Sequence, residues 1–178
     1  MTSRTVPLHL ATFAIVTPNN NPLYVHSYTG VQDELRYHHI AHSALDIIEE
    51  RESNVARKED NFLGLLFSMD DLAVYGYRTA SRLRIIVSLG LIDGIIKDSD
   101  VVTICRTIHQ LYNTASANPF LLLNSNPTPK AEVISPLPPI SDGALSLSTL
   151  PRPEDLRLSG KMKYGAERLG RLLNGGRS

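Results

Sequence analysis

The chain has 178 residues, which corresponds to about one domain with an additional element, and 42% of them are hydrophobic. Its 18 basic and 18 acidic residues give a formal net charge of zero, which argues against a dedicated nucleic-acid binder with its usual basic excess. The single cysteine, Cys105, excludes an internal disulfide bond and suits a reducing compartment. No run of about 18 apolar residues predicts a membrane span, and the N-terminal pattern indicates a strand and not a signal peptide.

The apolar run from residue 8 to residue 16 predicts a strand that is covered on both faces. Strict alternation places Leu10, Ala14 and Val16 on one face and Ala11, Phe13 and Ile15 on the other. A turn at residues 17–22 and a more polar strand at 23–28 then complete a hairpin.

Helical spacing predicts three helices. The first covers residues 33–52, and the third covers residues 160–173. The second begins with Asp98 or Ser99 as its N-cap and ends before Asn118. The last helix is expected to pack with one apolar face, formed by Met162, Ala166, Leu169, Leu172 and Leu173. Three strand-like runs at 61–67, 72–79 and 83–89 predict a meander between the first two helices. In its second strand, Gly76 is expected where a helix packs closely on the sheet. These elements together predict an α+β domain with helices on both faces of an antiparallel sheet.

Composition divides the chain into four parts. Residues 1–121 are the predicted domain body, and residues 122–158 are a Pro/Ser-rich insert that is expected to be disordered, because proline removes backbone donors. Residues 159–174 are predicted to form a C-terminal helix that completes the domain, followed by a flexible end at 175–178.

Charge is also divided unevenly. Residues 1–121 carry ten basic and thirteen acidic side chains, a net charge of −3, whereas residues 159–178 carry five basic and one acidic, a net charge of +4. The basic segment is one that phosphate or acidic lipid would attract. We favour a simpler interpretation, in which these basic residues form the solvated face of a helix whose leucines pack on the sheet.

His38, His42 and Asp46 follow one another at a spacing of four on the first helix, which would let them share a face and bind zinc. A zinc hydrolase would require a glutamate after the first histidine, and this chain has His39 there. A polar helix face is therefore favoured over a metal site. Asp46 lies in an apolar segment, so it is either a solvated carboxylate or an interface contact.

Other catalytic signals are weak. Cys105 lies on the apolar stripe of the second helix, where a thiol is a small inert hydrophobe. Glycine-rich phosphate loops and the G-x-S-x-G elbow are absent from the sequence, although a Ser/His/Asp triad that meets only in space stays open. No catalytic residue, cofactor site or metal site is predicted.

Several motifs in order resemble the sedlin family. They are the helical segment Ile40–Glu50, the strand segment Val74–Thr79 followed by Ser81, the tripeptide Asn118-Pro119-Phe120, and the runs Asn21–Val25 and Phe62–Leu66. The resemblance covers residues 8–120 and is specific as an ordered set. It implies a longin-like (SNARE-like) fold with a five-stranded antiparallel sheet, one helix on one face and two on the other.

The resemblance also implies a function. Sedlin-family proteins are non-catalytic subunits of the TRAPP vesicle-tethering complex, a guanine-nucleotide exchange factor for Rab GTPases in ER-to-Golgi and intra-Golgi transport. The expected partners are other TRAPP subunits, longin-like and Bet3-like, with the Rab GTPase engaged indirectly. We expect a cytoplasmic protein at Golgi and ER–Golgi membranes, attached peripherally and only through the complex. Asp46 is implied as a partner contact, with His42 and Glu49 beside it, and Asn118, Pro119 and Phe120 as a structural corner.

The C-terminal part departs from the family pattern. Leu121 replaces a tyrosine, the insert intervenes, and residues 159–164 are interpreted as the displaced start of the final helix, with Tyr164 in the aromatic position. The alternatives are a longin SNARE, which would need heptads and an anchor, a coat-adaptor small subunit, and a metal hydrolase using His38, His42 and Asp46.

Overall fold

The elements of the chain follow the predicted order, with one extra helix. A computed structural model describes residues 8–30, 33–53, 61–69, 71–90, 96–118, 121 and 153–175. The strands are β1 (His9–Val16), β2 (Pro22–Ser27), β3 (Phe62–Met69), β4 (Leu72–Arg78) and β5 (Arg84–Gly90). The helices are α1 (Glu34–Ser53), α2 (Asp98–Ser116), α3 (Pro153–Leu158) and α4 (Gly160–Leu173).

The five strands form one antiparallel sheet in the order β2-β1-β5-β4-β3. The meander β3-β4-β5 joins the β1-β2 hairpin through the pairing of β5 with β1, so β5 lies at the centre. Helices cover both faces, which confirms the α+β, longin-like arrangement. The difference is the short helix α3, which adds a third helix to the face covered by α2 and α4.

Two apolar cores separate the layers. The first lies between the sheet and α2, α3 and α4, and its largest buried side chains include Phe13, Ile108 and Met162. The second lies between the sheet and α1, where Ile40 and Ile48 are almost fully buried. Burial of this kind stabilises a fold by about 25 cal/mol per Å² of apolar surface, so both helix layers hold the sheet.

The predicted faces of β1 are partly wrong. Leu10 faces the first core together with Phe13 and Ile15, whereas Ala11 faces the second core together with Ala14 and Val16. The pairing of β1 with β5 shifts register between Leu10 and Thr12. A bulge inserts one residue, so alternation restarts beyond it and Leu10 and Ala11 exchange faces relative to strict alternation.

The closest neighbours of Gly76 on β4 belong to a strand. A Cβ atom built there would lie 3.1 Å from Leu66 Cδ1 and 3.3 Å from Leu63 Cβ, both on β3. The prediction named a closely packed helix at this glycine and did not include these strand contacts. The bulged strand β3 brings two leucines over the position instead.

Helix α2 begins at Asp98, close to the predicted start, but neither Asp98 nor Ser99 is its N-cap. Its N-cap is Lys97, which makes no side-chain capping bond, and Asp98 and Asp100 lie in the first turn. Carboxylates in the first turn stabilise a helix through its dipole. The acidic residues therefore act on the helix start without capping it.

The predicted end of the disordered insert at residue 158 is wrong. Residues Pro153–Leu158 form α3, with proline at the first helical position, where a missing N–H costs nothing. Leu156 and Asp155 of this helix are fully buried. The rest of the predicted insert, 122–152, lies outside the described residues, as do 176–178 of the predicted flexible end.

Helix α4 occupies the predicted residues, but Leu172, which was predicted to lie on its packing face, does not. Ser159 caps it by accepting a hydrogen bond from the Met162 N–H at 3.4 Å. Met162, Ala166 and Leu169 are buried and Leu173 packs at the core edge, whereas Leu172 is exposed. The aromatic position assigned to Tyr164 is also exposed.

Asn174, just after α4, pins the end of the helix to β1. Its Oδ1 accepts the Leu10 N–H at 2.8 Å and its Nδ2 donates to the Leu10 carbonyl at 3.1 Å. The side-chain amide thus satisfies both backbone groups of Leu10, as the backbone of a neighbouring strand would. In the described ranges, no helix has the length and apolar character needed to cross a membrane.

Candidate functional site

The outer face of α1 carries the predicted partner residues. Tyr37, Ile40, Ala44 and Ile48 recur at helical spacing and are buried against the sheet. That packing fixes the helix and leaves Asp46, His42 and Glu49 exposed on its outer side. The structure therefore places all three on one solvent-facing surface.

Asp46 and Glu49 differ in what they contact. Within the described residues, Asp46 makes no hydrogen bond or ion pair, so its carboxylate is solvated. Glu49 accepts a hydrogen bond from Asn20 Nδ2 at 2.6 Å and lies 3.6 Å from the Arg84 guanidinium. Asp46 is thus free to contact another molecule, while Glu49 also has a structural role.

Arg84 is the centre of this polar cluster. It is only 7% exposed at the start of β5. Its guanidinium donates to Glu52 Oε2 at 2.7 Å and to Asn20 Oδ1. A buried guanidinium needs charged or polar partners for its donors, and α1 and the β1-β2 turn supply them.

The β1-β2 turn presents Asn20 to that guanidinium. The turn closes with a hydrogen bond from the Thr17 N–H to the Asn21 carbonyl at 2.9 Å. Asn20 has a φ of 64°, a left-handed conformation that asparagine tolerates better than most residues. The amide therefore bridges Arg84 and Glu49, and it links the turn to α1.

A cavity of about 620 Å³ opens beside this cluster at the same end of the sheet. Its walls are the β1-β2 turn, the end of α1 and the β4-β5 turn. The lining residues are Pro18, Glu52, Asn61, Arg78, Thr79, Ala80, Arg82 and Arg84. The cavity is polar and open to solvent, so its lining can bind polar groups.

The histidines of α1 do not form a metal centre in the described part of the chain. His38 and His42 border a recess of about 10 Å³ against Asn20 and Pro22, too small for more than one water molecule. No group of three or more His, Cys, Asp or Glu side chains that would hold an ion occurs among the described residues. The structure does not favour the metal-hydrolase alternative.

Other titratable groups lie in the core on the opposite face. Burial raises the pKa of the Cys105 thiol to about 12, which agrees with an inert cysteine. Burial also raises the pKa of Tyr24 to about 12, and it lowers the pKa of His26. On β2, the His26 ring stacks with the Tyr24 ring at a centroid distance of 6.1 Å, and the ring of Tyr28, directly after β2, meets His26 edge-on at 4.6 Å.

The predicted structural corner is described only in part. Asn118 follows α2, its N–H donates to the Ala115 carbonyl at 3.3 Å, and its carbonyl accepts the Leu121 N–H at 3.1 Å. Pro119 and Phe120 lie outside the described residues. Leu121 is buried in the first core, so the chain returns to the body here.

Sequence reasoning missed Arg84 and the cavity. The available signal was an arginine immediately before the apolar run of Ile85, Ile86 and Val87. Such a charge at the start of a central strand requires partners. Its partners Glu52 and Asn20 are 32 and 64 residues away in the chain, so spacing alone does not identify them.

Comparison with known proteins identifies the family of the chain. The sedlin family model matches residues 15–134, about two thirds of the chain. A trafficking protein particle complex subunit 2-like protein of Dictyostelium discoideum is 40% identical over 117 residues, covering 63% of this chain and 82% of that protein. Proteins of the same name from Rattus norvegicus and Mus musculus are each 30% identical over 111 residues, covering 60% of this chain and 79% of theirs. The chain belongs to the sedlin family.

Proposed function

We propose that this chain is a non-catalytic adaptor and assembly subunit of a TRAPP vesicle-tethering complex. The support is the sedlin-family membership together with relatives that are named as subunits of the trafficking protein particle complex. In this role the chain serves a Rab guanine-nucleotide exchange factor in ER-to-Golgi and intra-Golgi transport. Its partners are other subunits of the complex, through which it attaches peripherally to Golgi and ER–Golgi membranes.

The observation that carries the proposal is the outer face of α1. Asp46 is exposed there without a hydrogen bond or ion pair among the described residues, on a helix whose inner face is tightly packed. A rigid helix with a free carboxylate is a good binding surface, because little side-chain order is lost beyond the contact itself. The Arg84 cluster holds the neighbouring Glu49 in place.

Affinity purification of the tagged chain from its own cells tests the proposal. We expect TRAPP core subunits to co-elute at near-stoichiometric amounts, identified by mass spectrometry. A folded bait that recovers none of them would contradict the adaptor function.

Asp46→Tyr tests the assigned surface. The substitution removes the free carboxylate and adds a bulky ring, so we expect recovery of TRAPP subunits to fall by about tenfold or more, as for an interface hot spot. Thermal stability should stay close to that of the parent, because an exposed helical position tolerates the change.

The matched control is Asp100→Tyr. Asp100 is also an exposed helical aspartate, but it lies on α2, which covers the opposite face of the sheet. It should recover the subunits as the parent does. Equal recovery by both variants and the parent would show that the α1 face is not the interface.

A further inference from the structure

The outer face of α4 combines basic and apolar side chains. Residues at helical spacing along it are exposed, and we call them the α4 outer stripe: Lys161, Tyr164, Arg168, Arg171 and Leu172. Tyr164 is 62% exposed and Leu172 is 73% exposed. The inner face of the same helix is fully used, since Met162, Ala166 and Leu169 are packed on the first core. The stripe therefore contributes nothing to the packing of the described fold.

Charge on this face is mainly positive. The stripe has three basic residues, and the carboxylate of Glu167, also exposed on α4, lies 4.0 Å from the Arg171 guanidinium, so Lys161 and Arg168 carry most of the free positive charge. The α3-α4 junction extends the pattern with exposed Arg157 and with Leu158, which is 63% exposed. Residues 1–121 carry a net charge of −3 against +4 for residues 159–178, so positive charge is concentrated at the end of the chain that includes α4.

The mixture of side chains identifies the occupant. Single exposed apolar side chains are common, but here Leu158, Tyr164 and Leu172 are exposed together beside three cations, and an interfacial helix uses both kinds of side chain on one face. Aromatic and aliphatic groups enter the headgroup region, tyrosine in particular being favoured there, while lysine and arginine contact anionic headgroups. An acidic protein partner would use the charges but has less need of the apolar groups.

We propose that the α4 outer stripe, with Leu158 beside it, is a direct contact surface for an anionic lipid bilayer. This contact goes beyond the proposed TRAPP function and adds to attachment through the complex. The free energy per basic residue at such a surface is modest. The contact therefore orients and strengthens attachment by a complex and does not anchor the isolated chain permanently.

The experiment is co-sedimentation of the full 178-residue chain with two kinds of vesicle. One is phosphatidylcholine alone, and the other contains about one third phosphatidylserine, an anionic lipid that draws basic surfaces. We expect partitioning to the anionic vesicles only, with a decline as salt is raised, because exposed charges are screened.

Two charge-reversal variants assign the contact. Lys161→Glu with Arg168→Glu should reduce partitioning to anionic vesicles by at least about tenfold. Arg36→Glu with Arg106→Glu makes the same change in net charge at exposed positions on α1 and α2 and should partition like the parent. Equal loss of vesicle binding in both variants would show that binding depends only on the net charge of the protein, and this would overturn the assignment to the α4 outer stripe.

A third variant tests the apolar part. Tyr164→Ser with Leu172→Ser keeps every charge, and we expect it to lower partitioning several-fold, because less apolar area enters the interface. Far-ultraviolet circular dichroism confirms folding of each variant. No binding of the parent to anionic vesicles at low salt, or stripe-dependent binding to polyglutamate but not to vesicles, would overturn the proposal.

Discussion

Arg84 stands out among the residues of β5 because it is a nearly buried cation at the start of an apolar strand. It joins three elements that are distant in the chain, through Glu49 and Glu52 on α1 and Asn20 in the β1-β2 turn. Removing one member of a buried ion pair is costly, because the remaining charge loses its partner. We infer that Arg84 holds the outer face of α1 in register with the sheet.

Arg84→Met should therefore lower the free energy of unfolding by about 2–3 kcal/mol, somewhat less than for a fully buried pair because Glu49 is half exposed. Urea denaturation measures the change. Arg82→Met is the control, since Arg82 is exposed in the neighbouring turn and should change stability by less than about 0.5 kcal/mol.

A second substitution separates the ion pair from the lost packing. If Arg84→Met is destabilising because it leaves Glu52 unpaired, Glu52→Gln in the same background should recover part of the loss. Stability of the Arg84→Met variant equal to that of the parent would show that the cluster contributes nothing net.

At the scale of elements, α4 is held by close contacts at its glycines. A Cβ atom at Gly165 would collide with Leu111 of α2, and one at Gly170 would collide with the ring of Tyr28. The Tyr28 hydroxyl donates to the Ala166 carbonyl at 2.7 Å, which fixes the ring against the helix. These positions let α4 approach both α2 and the end of β2.

Gly170→Ala should destabilise the protein, although alanine favours a helix by about 1 kcal/mol relative to glycine. Moving the Tyr28 ring breaks its hydrogen bond and opens the core edge, so we expect a net loss of about 1–3 kcal/mol. Thermal unfolding measures it. Gly160→Ala is the matched control, because nothing lies within 4 Å of a Cβ atom there and the same helix gains propensity. A stabilised Gly170→Ala variant would show that the ring moves freely.

The edge strand β3 illustrates how an exposed element is protected. Arg51 of α1 donates to the Leu63 carbonyl and, at 2.7 Å, to the Leu65 carbonyl. Free carbonyls at a sheet edge invite pairing with another chain, and a side chain that occupies them blocks it. The bulges of β3 add to this protection by disrupting a regular edge.

The order of these elements was predictable because periodicity is local. The stripe of Tyr37, Ile40, Ala44 and Ile48 identifies α1 without knowledge of anything else in the chain. The faces of Leu10 and Ala11 were not predictable, since the bulge between them depends on pairing with β5. Helix α3 was missed because six residues beginning with proline lie in a proline-rich segment.

The candidate surface on α1 was likewise predictable only where it depends on local spacing. Exposure of Asp46, His42 and Glu49 follows from helical spacing on α1. The cluster around Arg84 depends on three segments that meet only in the folded chain. The exposure of Leu172 depends on how α4 rotates onto the sheet, which the two close contacts at Gly165 and Gly170 set. Tertiary packing decides such details, and local patterns do not contain them.

At the scale of the whole molecule, the chain joins its C-terminal helix to its first hairpin. Asn174 binds the backbone of Leu10, and the hydroxyl of Tyr28, which directly follows β2, donates to the Ala166 carbonyl of α4. Helix α4 and Asn174 therefore close the first core at this edge. Any change that weakens this contact exposes the edge of the sheet as well as the helix.

The lowered pKa of His26 predicts a stability that depends on pH. Burial lowers the pKa of His26, Lys163 lowers it further, and Glu167 opposes them, while the Tyr24 hydroxyl lies 3.4 Å from its Nδ1. Burial also lowers the pKa of His109 on α2. In the unfolded chain a histidine titrates near pH 6.5, so the unfolded state binds more protons than the folded state below that pH. Stability is then fully present above about pH 6.5 and falls as pH drops toward the lowered pKa values.

We therefore expect urea midpoints to hold above about pH 6.5 and to decline from there to about pH 5.5, a range in which most carboxylates stay ionised. His26→Gln and His109→Gln should each reduce the slope, and the double variant should flatten it most, because neither glutamine takes up a proton. The same slope in the parent and the double variant would show that other groups carry the dependence. A reduced slope in His26→Gln would show that protonation of His26 contributes to the loss of stability at low pH, which assigns part of the pH dependence to this one side chain of β2.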